Sequence, residues 1–372
     1  MSVNRAWNVW NFRQPLVEAL IADGHRVTIL APADETVAKL EGIGAQVEPF
    51  AMNAGSFGTF ENATLVPRFG RAFRTLQPDI VLSFTIKNNL FGALAARWQG
   101  IPFVPNVTGL GTVFLGSRAL FEIGRALYRV SLGKSPVVFV QNEDDREFLV
   151  SKRVLRARQL RLLPGSGIDT QRFTPSPLPG KSDEVIFLMI SRLLRDKGIE
   201  EYLAAARRVR RTRGNARFQL LGPLTSDNPT ALSAAELQPF IDDGSIEYLG
   251  ATDDVRPFIE EADCVVLPSY REGAPRSLIE AAAMGRPLVA TDVAGCSAVV
   301  DDGETGFLCA ARSSDALADA LEKMLDLGPD ARQAMGMAGR TKMVAQYSVD
   351  YVIEAYRQAI AELTRPTRND QA

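Results

Sequence analysis

The chain has 372 residues, 46% hydrophobic and 23% charged, with a formal net charge of −2. That is the composition of a globular protein with no overall pull toward nucleic acid, and the length allows two domains that each bury a core. Three cysteines (Cys264, Cys296, Cys309) and one histidine, His25, leave too few ligands for a zinc site and confine any histidine-dependent triad to His25 alone. The odd, unpaired cysteines in apolar surroundings read as buried, reduced thiols in a cytoplasmic setting. The opening MSVNRAWNVW lacks the continuous apolar core of a secretory signal, and no apolar run reaches transmembrane length. Membrane contact is therefore expected to be peripheral.

In chain order, the first segment is a polar, aromatic loop that passes into a helix at roughly residues 13–23. A Rossmann-like domain should begin with a strand. Here that strand is missing or clipped to Met1–Val3, as a late assigned start would produce. RVTILAP, DIVLSF, IPFVPNV and PVVFVQN follow as strand candidates in the first half. EVIFLMI, ARFQLLG, IEYLG, DCVVLP and PLVATD follow in the second. Their continuous apolar character suits strands covered on both faces, hence parallel sheets, and their alternation with helical segments suits a doubly wound α/β fold. PGSGIDTQRFTPSPLPGKSDE breaks that rhythm. The expected organisation is a Rossmann-like domain over 1–165, a linker over 166–180, a second Rossmann-like domain over 181–345, and a C-terminal helix and tail over 346–372. Val349, Ile353, Tyr356, Ile360 and Leu363 recur at helical spacing in that last helix. Open α/β sheets bind ligands outside the carboxyl ends of their strands, so two such domains facing across a cleft define where a ligand is expected.

Two motifs fall on that edge of the second domain. REGAPRSLIEAAAMGRP reads as loop, helix and stop, with Pro275 in the first turn and Gly285 and Pro287 ending it. Glu272 lies in the loop and Glu280 inside the helix. Gly273 permits close backbone approach, and the helix N-terminus offers free N–H groups to a phosphate. Carboxylates on either side of an anion site make sense as acceptors from sugar hydroxyls. The spacing alone favours two solvated acids. The second motif, SRLLRDKG after EVIFLMI, places Arg192 and Lys197 in another loop on the same edge, where a guanidinium fork and an ammonium suit a diphosphate. Together they describe a nucleotide-sugar site.

At these residues the sequence resembles the retaining GT-B glycosyltransferases of glycosyltransferase family 4. E-x7-E matches as Glu272 and Glu280, and R-x4-K as Arg192 and Lys197. WNFRQPLVEALIADGHRVTILAP, SFTIKNNLFGALAARWQGIPFVPNVTGLGTVF and QNEDDREFL look like the branch that moves hexoses or N-acetylhexosamines onto polyprenyl-diphosphate-linked glycans for surface polysaccharide or glycoprotein assembly. The resemblance implies a GT-B fold with an acceptor-binding first domain. It implies Glu272 on the donor sugar, with Gly273 and Ala274 nearby; Glu280 on the ribose; Arg192 and Lys197 on the diphosphate; and backbone contacts from Ser277 and Leu278. It places Leu249 and Gly250 beside the base. Asn106, Thr108 and Gly109 stand where many members carry a first-domain histidine, while His25 sits at a turn away from the ligand edge. The implied reaction retains configuration by front-face attack, with the leaving diphosphate accepting the acceptor's proton and with neither metal nor cofactor. The TDD at 252–254 reads as a helix N-cap. UDP is the expected nucleotide, with N-acetylhexosamine ahead of galactose or glucose. The alternatives are a GT-B sugar-nucleotide epimerase and a non-catalytic sugar-nucleotide-binding protein.

The stretch GTVFLGSRALFEIGRALYRVSLGK mixes Phe114, Leu115, Leu120, Phe121, Ile123, Leu127, Val130 and Leu132 with Arg118, Arg125, Arg129 and Lys134. SKRVLRARQLR adds Lys152, Arg153, Arg156, Arg158 and Arg161. Apolar residues with flanking cations suit a membrane interface; a core-facing helix with a solvated basic patch fits the same pattern. The expectation is a cytoplasmic protein peripheral to the inner face of the cell membrane, with a nucleotide-sugar donor, a lipid-linked glycan acceptor and no nucleic-acid partner.

Overall fold

The structure is a computed structural model. It describes every residue except 53–58, 111–117, 180–183, 225–227, 229 and 365–372, together with the side chains of 59–63 and 118–120. The chain divides into two compact units. One is Met1–Gly167 together with the chain from Val349 onward, and the other is Ile168–Ser348.

The first unit contains β1 (Thr28–Ala31), β2 (Gln46–Pro49), β3 (Val81–Phe84), β4 (Phe103–Val107), β5 (Val138–Val140) and β6 (Leu160–Leu162), all in parallel pairs. β1 pairs with β2, and β3 to β6 pair in sequence. Between these groups lies Ser2, bridged in parallel to both Leu30 and Ser83. The Leu30 N–H donates to the Met1 carbonyl (2.8 Å) and the Phe84 N–H to the Ser2 carbonyl (2.9 Å). Ser2 and Val3 are fully buried. Met1–Val3 thus occupies the middle of the sheet, in the order β2-β1-(Met1–Val3)-β3-β4-β5-β6, a doubly wound arrangement.

Two boundaries differ from expectation. The first helix is Ala6–Ala22, so the aromatic segment before Arg13 is helical and Pro15 lies inside. Pro favours a first turn, but Ala6, Val9, Arg13, Leu16, Val17 and Leu20 form one buried stripe at helical spacing, and that burial decides the start. The C-terminal helix, Val349–Thr364, is part of the first unit's core rather than a segment of its own. Tyr356 is buried against Phe139 (ring centroids 4.8 Å) and Phe84 (6.0 Å).

The second unit contains β7 (Val185–Ile190), β8 (Ala216–Leu221), β9 (Glu247–Tyr248), β10 (Cys264–Leu267), β11 (Leu288–Thr291) and β12 (Gly306–Cys309) in one parallel sheet of order β12-β11-β10-β7-β8-β9. Consecutive β7 residues enter opposite cores. Phe187 and Met189 pack with Tyr202, Phe218 and Leu321, whereas Leu188 packs with Val265, Leu278 and Ala282. Both faces are therefore covered, as the unbroken apolar strands require. The chain runs from β7 outward to β9 and then returns to β10 on β7's other side, so the strand order reverses at β7 and β10. That reversal makes the crevice beyond their carboxyl ends the favoured ligand position. Cys264, Cys296 and Cys309 are buried and free.

Candidate functional site

Glycines join the loops beyond the second sheet. Gly198 ends the 3-10 turn Arg195–Lys197 with φ +72°, and a Cβ there would lie 2.0 Å from the Pro268 carbonyl oxygen. Gly222 (φ +154°) packs on the Ser191 carbonyl, and its N–H donates to Gly250 (2.7 Å). Gly295 (φ +84°) would place a Cβ 2.6 Å from the Glu272 carbonyl oxygen, while the Glu272 N–H donates to Ala294 (3.2 Å). Only glycine fits such contacts with positive φ. They lock the loops after β7, β8, β9, β10 and β11 into one edge. The Ser269 hydroxyl and the Tyr270 N–H both donate to the Asp196 carbonyl, at 3.2 and 3.0 Å.

On this edge Lys197 Nζ donates to Glu272 Oε1 at 2.5 Å, with the two side chains 23% and 13% exposed. Arg192 is exposed and has no ion pair among the described residues. Its neighbour Arg195 is committed to Glu200 (2.9 Å) and to Glu236. Glu280 is buried in the helix Arg276–Ala283 and accepts from Arg276 Nε at 2.5 Å. The two glutamates thus belong to separate ion pairs, one across loops and one within a helix. Sequence reasoning missed Arg276, although its i,i+4 spacing to Glu280 was a usable signal. Pro275 stands at the N-cap rather than in the first turn, and no side chain caps the helix. Its first N–H groups, those of Ser277 and Leu278 included, point along the dipole toward the loop edge. Leu278 is wholly core, so it can contribute only backbone there. Gly273 is buried and Ala274 half-buried beside Glu272. Leu249 and Gly250 follow β9 on the same edge, Leu249 N–H donating to Leu220 (2.9 Å).

Two neighbouring groups are kept protonated. The Cys296 thiol is pushed up by burial and then by the Glu272 carboxylate. The Tyr270 phenol donates to Glu201 (2.7 Å) beneath the Arg312 guanidinium (4.2 Å to the ring centroid). Burial, followed by that carboxylate, raises its pKa to about 12. The 252–254 stretch is not an N-cap: Val255 holds that position before Arg256–Glu261. Asp254 instead accepts from the Arg256 guanidinium (2.6 Å) and N–H (3.1 Å), which holds its carboxyl below the usual range.

In the first unit, Asn106 is buried in β4. Its amide donates to the Tyr356 hydroxyl (3.0 Å), its carbonyl accepts from Asn89 (2.8 Å), and its side-chain oxygen has no partner among the described residues. Thr108 is exposed, and Gly109 has φ +145°. Of this trio, Asn106 is held inside the core. Beside it, Thr85 adopts φ +73° and donates to Asn88 (2.9 Å), whose amide donates to Ser2 (2.7 Å). A positive φ at a β-branched residue is a genuine outlier that marks functional loops. SFTIKNN, a polar run after an apolar strand, carried that signal unread. His25 is exposed before β1, its N–H donating to Leu20 (3.0 Å).

Residues 184–327 match the model for glycosyl transferases group 1, and residues 9–165 match the glycosyl transferase 4-like domain. The chain is 27% identical over 366 residues, 94% of each protein, to the N,N'-diacetylbacillosaminyl-diphospho-undecaprenol alpha-1,3-N-acetylgalactosaminyltransferase of Campylobacter jejuni. It is 22% identical to the UDP-Gal:alpha-D-GlcNAc-diphosphoundecaprenol alpha-1,3-galactosyltransferase of Escherichia coli, over 67% of this chain and 66% of that one. Anabaena Alr3699/HepE, solved with UDP and glucose, superposes with TM-score 0.77 at 18% identity, covering 97% of this chain and 98% of the other. The architecture is that of the GT-B glycosyltransferases. The chain belongs to the group 1, family-4-like glycosyltransferases.

Proposed function

We propose that the protein is a retaining, metal-independent hexosyl- or N-acetylhexosaminyltransferase that uses a UDP-sugar and a polyprenyl-diphosphate-linked glycan acceptor. The observation that carries this reading is the Lys197–Glu272 pair set beside an uncapped helix N-terminus at the sheet's reversal point. That arrangement suits a diphosphate next to sugar hydroxyls. The names of the Campylobacter and Escherichia coli relatives both give a lipid-linked diphosphate acceptor and an alpha linkage, which a retaining enzyme makes from an alpha-linked donor. The UDP in the HepE structure supports the nucleotide.

In this mechanism the bond from the anomeric carbon to the UDP oxygen breaks as the acceptor hydroxyl oxygen bonds to the same face. The acceptor's proton passes to the departing diphosphate. Arg192, Lys197 and the N–H groups of Ser277 and Leu278 stabilise the charge growing there. Glu272 orients the donor sugar, Glu280 the ribose, and Leu249 and Gly250 flank the base. Asn106, Thr108 and Gly109 are assigned to the acceptor side. The protein works at the cytoplasmic membrane surface as a peripheral enzyme, and no helix among the described residues is long and apolar enough to cross a membrane.

A panel of UDP-, GDP- and ADP-sugars tests the proposal, read by thermal shift and by transfer to a polyprenyl-diphosphate saccharide. Turnover with a UDP-N-acetylhexosamine is expected. Absence of transfer from every UDP-sugar would overturn it, and epimerised UDP-sugar formed without acceptor would point to the epimerase instead.

A further inference from the structure

The three most exposed large hydrophobic side chains among the described residues are Trp98 (75%), Ile123 (63%) and Val130 (58%), and all three fall in the first unit. Ile123 and Val130 lie two turns apart on one side of the helix Arg118–Leu132, with Ala126 and Arg129 exposed between them. The opposite side of this helix is core. Tyr128 and Leu132 are buried, Phe121 meets Phe148 edge to face (6.0 Å), and Leu127 packs against the same cluster. Phe121, Leu127 and Leu132 are therefore not available to a membrane. Phe114 and Leu115, and the side chains of Arg118 and Leu120, lie outside the described residues.

Arg97 ties Trp98 to this helix. Its guanidinium donates to the last-turn carbonyls of Val130 (2.5 Å) and Ser131 (2.7 Å), which holds the chain at Trp98 against the C-terminal turn. Cations cluster around the patch. Arg129 and Lys134 are exposed, as are Lys152, Arg153, Arg156 and Arg158. This basic segment is held to the helix end by Gln159, whose amide donates to Leu132 (3.0 Å) and Ser135 (2.9 Å). None of the six cations has an ion pair among the described residues. The acid on the patch, Glu122, is taken by Arg125 at 2.7 Å.

We infer that Trp98, Ile123 and Val130 are the points at which the protein enters an anionic lipid bilayer, with the six unpaired cations on the headgroups around them. An exposed indole beside aliphatic residues suits the interfacial zone, where its apolar ring and N–H are both accommodated. Cations without acidic partners suit anionic lipid. This surface gives the proposed lipid-linked acceptor its setting and rests on that reading for its purpose, but the binding is measured without donor or acceptor.

The test is co-sedimentation of the full chain with phosphatidylcholine vesicles, with and without phosphatidylglycerol, at low salt. The wild type should pellet with the anionic vesicles and remain in solution with the neutral ones. The triple variant Trp98→Ala, Ile123→Ala, Val130→Ala should lose partitioning by roughly tenfold or more, as should Arg129→Glu with Lys134→Glu. Both should keep the wild-type thermal shift with UDP. A wild type that stays in solution with anionic vesicles would overturn the inference, as would a triple variant that pellets like the wild type. So would a wild-type dimer that the triple variant converts to monomer without any vesicle binding. A protein that binds anionic vesicles but shows neither a UDP shift nor transfer leaves this surface standing and removes the proposed reaction.

Discussion

Lys197 Nζ and Glu272 Oε1 lie 2.5 Å apart across two loops of one sheet edge, so each loop holds the other's charged group in place. Lys197 is positioned by the turn that Gly198 ends, and Glu272 by the backbone contact with Gly295. A cation and a carboxylate placed in advance incur little reorganisation when charge develops, which is the main economy of electrostatic catalysis.

Lys197→Ala should lower turnover by on the order of 100- to 1000-fold at saturating donor, the usual effect of removing one preorganised donor. Glu272→Gln should also abolish measurable transfer while circular dichroism stays native. Turnover at wild-type level in either variant would refute its assigned role.

Glu280 should behave differently. If it accepts from the ribose, Glu280→Gln should raise the donor KM by roughly tenfold, the effect of one lost charged hydrogen bond, with a smaller change in kcat. Arg276→Ala should act in the same direction by releasing the carboxylate it holds at 2.5 Å. A kcat collapse with unchanged KM would reassign Glu280 to the chemistry.

Gly295→Ala places a methyl 2.6 Å from the Glu272 carbonyl oxygen at φ +84°. A left-handed non-glycine residue alone costs on the order of 1–3 kcal/mol, and here the loop carrying Glu272 must also move. Both the thermal midpoint and UDP affinity should fall. Loss of stability with unchanged affinity would show that the loop contact does not position the site.

Buried phenols set an alkaline limit, Tyr347 and Tyr356 among them. Tyr347 and Tyr356 are each pushed up to about 12, chiefly by burial, so the folded chain holds these protons more tightly than the unfolded one. Their contribution is complete below about pH 10 and declines as pH rises from there through about 12, by roughly 1.4 kcal/mol per pH unit for each. Denaturant unfolding at a series of pH values should show this decline. The Tyr347→Phe, Tyr356→Phe double variant should show a shallower one, and an identical slope would count against the assignment.

The sequence by itself determined the parallel α/β class, because unbroken apolar strands can be buried only between helices. It also picked out Arg192, Lys197, Glu272 and Glu280 as the candidate donor residues, because the first three lie in loops at strands' carboxyl ends and Glu280 lies in the helix that follows one. It missed β2, β6 and β12, which are short edge strands of three or four residues, β2 and β6 with little apolar content. Pairing to a neighbour, rather than their own pattern, makes them strands. Only the tertiary structure decided that Met1–Val3 lies in mid-sheet, that Tyr356 returns to the first unit's core, and that Lys197 meets Glu272 while Glu280 is held by Arg276. It also decided that Ile123 and Val130 face outward while Leu127 and Leu132 face in. The physical reason is common to all of these. Periodicity reports which residues share a face, but the partner that covers a face or neutralises a charge comes from chain far away in sequence. Sequence spacing alone does not encode that approach.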